Sequence, residues 1–207
     1  MSSETEVCSS ALLLLGEDEI TDIDGSANRE KLCKRIYSQT RDDLLRKHYW
    51  NFSLIRVSLA LDATAPVFGF DNAFTLPPDF IRVQAINRNE SLEEHSFDIP
   101  YKIENGRLLT DEDQVDLLYV ARITSPTQWD SLFRTTLEYL LASKFAIPVM
   151  NNVNLHRLMF GLYKDNLIEA RVADAHDGTP DRVFDQDLNQ ARRTSSALSA
   201  ESRPFAN

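Results

Sequence analysis

The residue groups in this chain that could do chemistry are few, and each is incomplete. Asp22-Ile23-Asp24-Gly25 has the spacing of the middle of an EF-hand calcium loop, but the first ligand position would fall on Ile20 and the twelfth on Lys31, where a bidentate Glu is required. It reads instead as an acidic loop whose carboxylates meet the positive end of the helix that follows. His48, His95, His156 and His176 lie far apart, and none has a second His at the spacing of a helical metal site. No catalytic residue, metal or cofactor is therefore expected. The chain has no Gly-rich phosphate loop and no Gly-x-Ser-x-Gly elbow. Cys8 and Cys33 fall on the apolar sides of expected helices and read as small buried hydrophobes, reduced rather than bridged. Paired carboxylates for glycoside hydrolysis stay open, because Asp and Glu total 32 and such a pair need only meet in space.

Two further clusters point to contact rather than catalysis. Tyr49-Trp50-Asn51-Phe52 concentrates aromatics between a helical and a strand pattern, so Trp50 and Phe52 are expected to anchor helices to sheet. Near the C-terminus, Phe184 and Phe205 accompany Arg182, Arg192, Arg193 and Arg203. Aromatics with Arg are the anchors used when a weakly apolar segment orders on a partner.

The elements that must position these groups follow from the pattern of apolar residues. Ser3-x-x-Glu6 is a capping box that opens a short helix through Val7, Cys8, Ala11, Leu12 and Leu15, and Gly16 ends it. A second helix is expected from Ala27 to Tyr49, with Leu32, Cys33, Ile36, Tyr37, Leu44 and Leu45 inward. The period then drops to two at Ile55, Val57, Leu59 and Leu61. Ile81 to Ile86 and Gln114 to Ile123 read as further strands. Asn105-Gly106 suits a type I′ hairpin pairing Glu104 with Arg107 and Ile103 with Leu108. Ser125-Pro126-Thr127-Gln128 signals a helix start leading into a strongly apolar helix that ends near Pro148, and a last helix spans Asn152 to Ala175. From Asp181 no period is sustained.

These elements make an expected α+β fold: a four-helix bundle with an inserted small antiparallel β region and an extended C-terminal tail. Residues 1–53 and 125–178 supply the two halves of the bundle, 54–124 the β region and 179–207 the tail. A formal net charge of −10 argues against a general nucleic-acid binder, which draws affinity from Lys and Arg at phosphates. No run approaches the roughly 18 apolar residues of a membrane span, and the acidic start differs from a basic secretory leader, so a cytoplasmic origin is expected.

Several segments, in order, resemble the tail tubular protein A type of head-to-tail adaptor of tailed phages. They are Val7 to Gly16, Tyr37 to Leu45, His48 to Ser53, Phe74 to Val83 with its Leu-Pro-Pro-Asp, Tyr101 to Asp111, Leu137 to Phe145 and Tyr163 to Asp174. The resemblance covers about residues 6–192 and fades beyond Arg193. It implies a structural virion protein, also called a connector or gatekeeper, that is not an enzyme. Such a protein assembles with itself into a twelve-membered ring, binds the portal protein on one side and the tail tube or nozzle protein on the other, and lets double-stranded DNA pass without specific binding or membrane contact. On that expectation Arg182, Phe184, Arg192, Arg193, Arg203 and Phe205 would grip the portal or a neighbouring subunit. The alternative from the residues alone is a virion-associated cell-wall glycan hydrolase using paired carboxylates, with a DNA-binding packaging factor disfavoured by charge.

Overall fold

The structure, a computed structural model, describes residues 3–86 and 99–177. The chain divides into a compact unit, Met1–Asp174, and a remainder, Ala175–Asn207. Helix α1 (Glu4–Leu13) opens with the capping box: Glu6 N donates to Ser3 Oγ at 3.1 Å and Ser3 N donates to the Glu6 carboxylate at 3.1 Å. Gly16, at φ +80°, ends this segment in the left-handed region that lacks a Cβ penalty only for glycine. The acidic loop that follows is stitched back onto α1. Ser9 Oγ donates to the Ile20 carbonyl at 3.2 Å and accepts from Ile20 N at 3.3 Å, while Ile23 N donates to Thr5 Oγ1 at 3.3 Å.

Helix α2 (Asn28–Arg46) stops three residues before the expected Tyr49. The six strands that follow are β1 (Leu54–Leu59), β2 (Asn72–Thr75), β3 (Phe80–Ile86), β4 (Tyr101–Glu104), β5 (Arg107–Thr110) and β6 (Val115–Ala121). They form two antiparallel sheets of three strands each, in the orders β1-β6-β3 and β2-β5-β4. The Asn105-Gly106 turn has φ +48° and +72° and sets Glu104 opposite Arg107 and Ile103 opposite Leu108, the register its residues dictate.

Strand β6 is buried on both faces. Val115, Leu117, Tyr119 and Ala121 join Phe74, Leu76 and Leu108 in a core between the sheets, whereas Val120 faces the helices with Ile81. The β1-β6-β3 sheet is thus the middle layer, helices on one side and the second sheet on the other.

Ser125-Pro126 opens only a single 3₁₀ turn, Pro126–Gln128. Trp129 is extended behind it, its indole Nε1 donating to the Ile123 carbonyl at 3.0 Å and its ring edge-on to Phe133. That inward turn interrupts the helix, and α3 (Ser131–Met150) restarts on Asp130, whose carboxylate accepts from Leu132 N at 2.8 Å. The helix runs through Pro148 and is closed by Asn151 at φ +47°. Asn152 Oδ1 then caps α4 (Val153–His176), accepting from Asn154 N and Leu155 N at 3.0 Å each.

The expected four-helix bundle with a small inserted β region and an extended tail is corrected here. The chain is α+β, with four helices and two three-stranded antiparallel sheets. Helix α3 packs on α1 and α2, but α2 also packs on β3, so a sheet occupies the place a further bundle helix would need. Helix α4 buries Met159, Tyr163, Ala170 and Asp174 and leaves Leu158, Ile168 and Val172 exposed. The β part has a hydrophobic core of its own and is not a small insertion. The expected tail lies outside the described residues.

Candidate functional site

The chemistry-bearing groups concentrate where α2 ends. Its last carbonyls lack regular helical donors, and side chains supply or supplement them, the Leu44 carbonyl also accepting from Lys47 N at 3.1 Å. Arg82 of β3 donates to the Arg46 carbonyl at 2.7 Å, Arg171 of α4 to the Lys47 carbonyl at 2.7 Å, and Trp50 Nε1 to the Leu44 carbonyl at 3.2 Å. Arg46 in return donates to the Ile81 carbonyl at 2.7 Å. Lys47 Nζ donates to the Tyr163 hydroxyl at 2.6 Å. Four cations are thus gathered at the negative end of the helix dipole, where positive charge is favoured.

One carboxylate sits among them. Asp174 is 8% exposed and accepts from His48 Nε2 and from Asn51 N, both at 3.0 Å, while its backbone carbonyl accepts from Asn51 Nδ2 at 2.5 Å. With the carboxylate as acceptor, a neutral His48 carries its proton on Nε2. Burial holds the His48 pKa below its ordinary 6.5. The Asp174 charge and hydrogen bond oppose that shift, and the positive charges of Arg171 and Arg82 reinforce it. The unfolded chain therefore binds more protons than the folded one just below 6.5. The stability held by neutral His48 is complete above that value and is lost as pH falls through the lower, folded one. We expect the urea midpoint to fall on acidification from pH 7 to pH 5, and His48→Gln, which keeps an N–H for Asp174, to flatten that part of the profile.

Trp50, expected as an anchor, is 1% exposed and at the centre of an aromatic group. Its ring lies edge-on to His48 at 4.9 Å and to Phe133 at 5.0 Å, and Phe52 stacks at 6.2 Å while meeting Phe133 at 5.0 Å. Both residues meet Phe133 of α3, and Leu54 at the start of β1 packs against the same core. Arg182, Phe184, Arg192, Arg193, Arg203, Phe205 and His95 lie outside the described residues.

The other chemical candidates resolve into structural contacts. In the EF-like segment Asp22 accepts from Asp24 N at 3.0 Å, Asp24 pairs with Lys34 at 2.8 Å, and Ile23 is buried. No group of three or more His, Cys, Asp or Glu side chains able to hold a metal occurs among the described residues. His156 Nδ1 is 2.7 Å from the Ser143 carbonyl. Cys8 and Cys33 are free and buried, and their interaction with each other pushes the Cys8 thiol up and pulls Cys33 down. Burial raises the carboxyl of Glu138, but its partners are Arg134 at 3.0 Å and Ser10, not a second acid. A shallow depression at β1 and β6, lined by Arg56, Val57, Ser58, Asp116, Leu117 and Leu118, contains one carboxylate, which Ser58 hydrogen-bonds. Neither place assembles the two-acid geometry of glycoside hydrolysis.

Two surface features differ from what the apolar pattern suggests, since Leu158 and Ile168, expected with Leu155, Met159 and Leu162 in the buried stripe of the last helix, are exposed. The segment between β1 and β2 ends in a tip at which Val67 and Phe68 are 97% and 88% exposed. On α4, Leu158, Ile168 and Val172 recur at helical spacing on the exposed side. The Asp174 site did leave a trace: Asp174 falls in helical phase with Met159, Tyr163 and Ala170, and an acid on a buried stripe demands donors. No described helix is long and apolar enough to cross a membrane. Compared with protein-family models and with curated proteins, the chain matches no family and no individual protein.

Proposed function

We propose that the chain is a structural virion subunit, a phage head-to-tail adaptor that assembles into a twelve-membered ring between the portal and the tail tube or nozzle and lets DNA pass. The observation that carries this reading is the ordered set of segments resembling that adaptor family across about residues 6–192. Its physical features are compatible with the role. A subunit of net charge −10 repels phosphates, so a ring of such subunits does not hold the duplex that slides through it. A closed ring also needs two different surfaces on each subunit, and the α4 stripe and the Val67–Phe68 tip are separate exposed apolar features available for contact. The segment from Asp181, with Arg182, Phe184, Arg192, Arg193, Arg203 and Phe205, is assigned on composition to gripping the portal or a neighbouring subunit.

The test mixes purified protein with assembled portal rings of the same phage and images the mixture by electron microscopy. A second ring stacked coaxially on the portal is the expected result and gives the subunit number directly. Bare portals beside a folded monomer would overturn the adaptor reading.

A further inference from the structure

The β1–β2 loop is the most exposed apolar feature of the described chain, and its surroundings are acidic. Its return leg is tied to the turn between β5 and β6: Asp71 N donates to the Asp111 carboxylate at 3.0 Å and Asn72 Nδ2 to the Glu112 carbonyl at 3.0 Å. Asp71, Asp111, Glu112 and Asp113 are all exposed there. The nearby cation Arg107 is engaged by Asp62 at 3.2 Å. Two large hydrophobic side chains, nearly bare, thus stand three and four residues before Asp71, in a loop whose return leg is tied to a turn carrying three more exposed carboxylates. An anionic lipid surface would be repelled by that collar. The chemistry it fits is an apolar or aromatic platform rimmed by cations.

The same chain presents such a platform. Tyr49 is exposed and the Arg82 guanidinium stacks 3.6 Å over its ring. Arg46, Lys47 and Arg171 complete the rim, and the hydrogen bonds described for these four cations go to backbone carbonyls or the Tyr163 hydroxyl, which leave their charge in place. His48 and Asp174 face the rim from inside, and Asp174 is the carboxylate bound there. The two features sit at opposite ends of β1. Leu54 pairs with Val120, at the level of Arg82, while the loop leaves beyond Leu59, which pairs with Val115. That is about 17 Å along the strand, so the loop leaves the sheet at the end away from the platform, an arrangement suited to head-to-tail contact.

We propose that the Val67–Phe68 tip of one copy docks on the Tyr49–Arg82 platform of the next copy of this chain, as an acidic-collared apolar plug on a cation-rimmed aromatic seat. This deepens the ring reading above and rests on it. The test places a photo-crosslinking amino acid at position 68 of the full chain, alone and on portal rings, and compares assembly of wild type with Phe68→Ser by sedimentation velocity and electron microscopy. Phe68 is largely in solvent, so the variant folds, which circular dichroism checks.

The expected result is a crosslink to the peptide containing Tyr49 or Arg82 of a second copy. Phe68→Ser should raise the concentration for half-assembly about tenfold or more, the effect of losing one anchoring side chain, and added salt should weaken wild-type assembly. Rings that form equally well with Phe68→Ser, or crosslinks elsewhere, overturn the docking proposal and leave the adaptor reading standing. Phe68-dependent binding to phosphatidylglycerol vesicles, without crosslinking between copies, also overturns it. A wild type that stays monomeric both alone and beside portal rings overturns both.

Discussion

Trp50→Ala is expected to destabilise the protein by about 3–5 kcal/mol, the range for deleting a fully buried indole whose neighbours only partly collapse. Three rings, those of His48, Phe52 and Phe133, lose their common partner, and the Leu44 carbonyl keeps the Lys47 N–H but loses the indole as its second donor. Trp50→Phe keeps most of the volume and gives up the hydrogen bond, so its cost should be nearer 1–2 kcal/mol. Urea unfolding followed by far-ultraviolet circular dichroism reads both, and the remaining indole, Trp129, gives an independent fluorescence probe from the same core. Equal midpoints for wild type and Trp50→Ala would mean that the aromatic group does not hold helices to sheet.

Asp174→Ala should cost about 2–4 kcal/mol, because it strands partners rather than merely deleting a contact. The Asn51 backbone N–H and His48 Nε2 would both lose their acceptor in a part-buried site. Four cations, Arg46, Lys47, Arg82 and Arg171, would at the same time lose the carboxylate among them. Asp174→Asn retains an oxygen for one of the two donors and should recover part of the loss. The same urea series checks the pair. If Asp174→Ala and Asp174→Asn are equally and only slightly destabilised, the carboxylate is not the keystone of this joint.

Local signals in the sequence are those the structure repeats most closely. The capping box at Ser3 and Glu6 needs only four residues, and the Asn105-Gly106 turn fixes its register through two backbone conformations. The layer arrangement was not legible, because alternation along β6 shows one buried face and cannot show that Val120 on the other face is covered by helices. Ser125-Pro126 carried a helix-start signal, and the inward Trp129 delayed the helix to Ser131. Of the candidate site, Trp50 and Phe52 stood out by their aromatic density. The His48–Asp174 contact did not, since its partners are 126 residues apart and a single histidine has no local partner to advertise it. The cations that cap α2 looked like an ordinary solvated face, because nothing in a Lys or Arg codon position reveals that its acceptor is a backbone carbonyl elsewhere.

That last turn of α2 has a consequence for the order of folding. Its carbonyls at Arg46 and Lys47 are satisfied from 36 and 124 residues away, so the turn cannot be completed by helix propagation from Asn28 alone. It must wait for β3 to dock and then for α4 to arrive from the far end of the compact unit. Contacts of that sequence separation close slowly, which makes the cluster of Arg46, Lys47, Arg82 and Arg171 one of the last parts of the described chain to form. A nascent chain therefore acquires the complete cation cluster only when α4 has been made, so a chain still being synthesised lacks the Arg171 side of this joint.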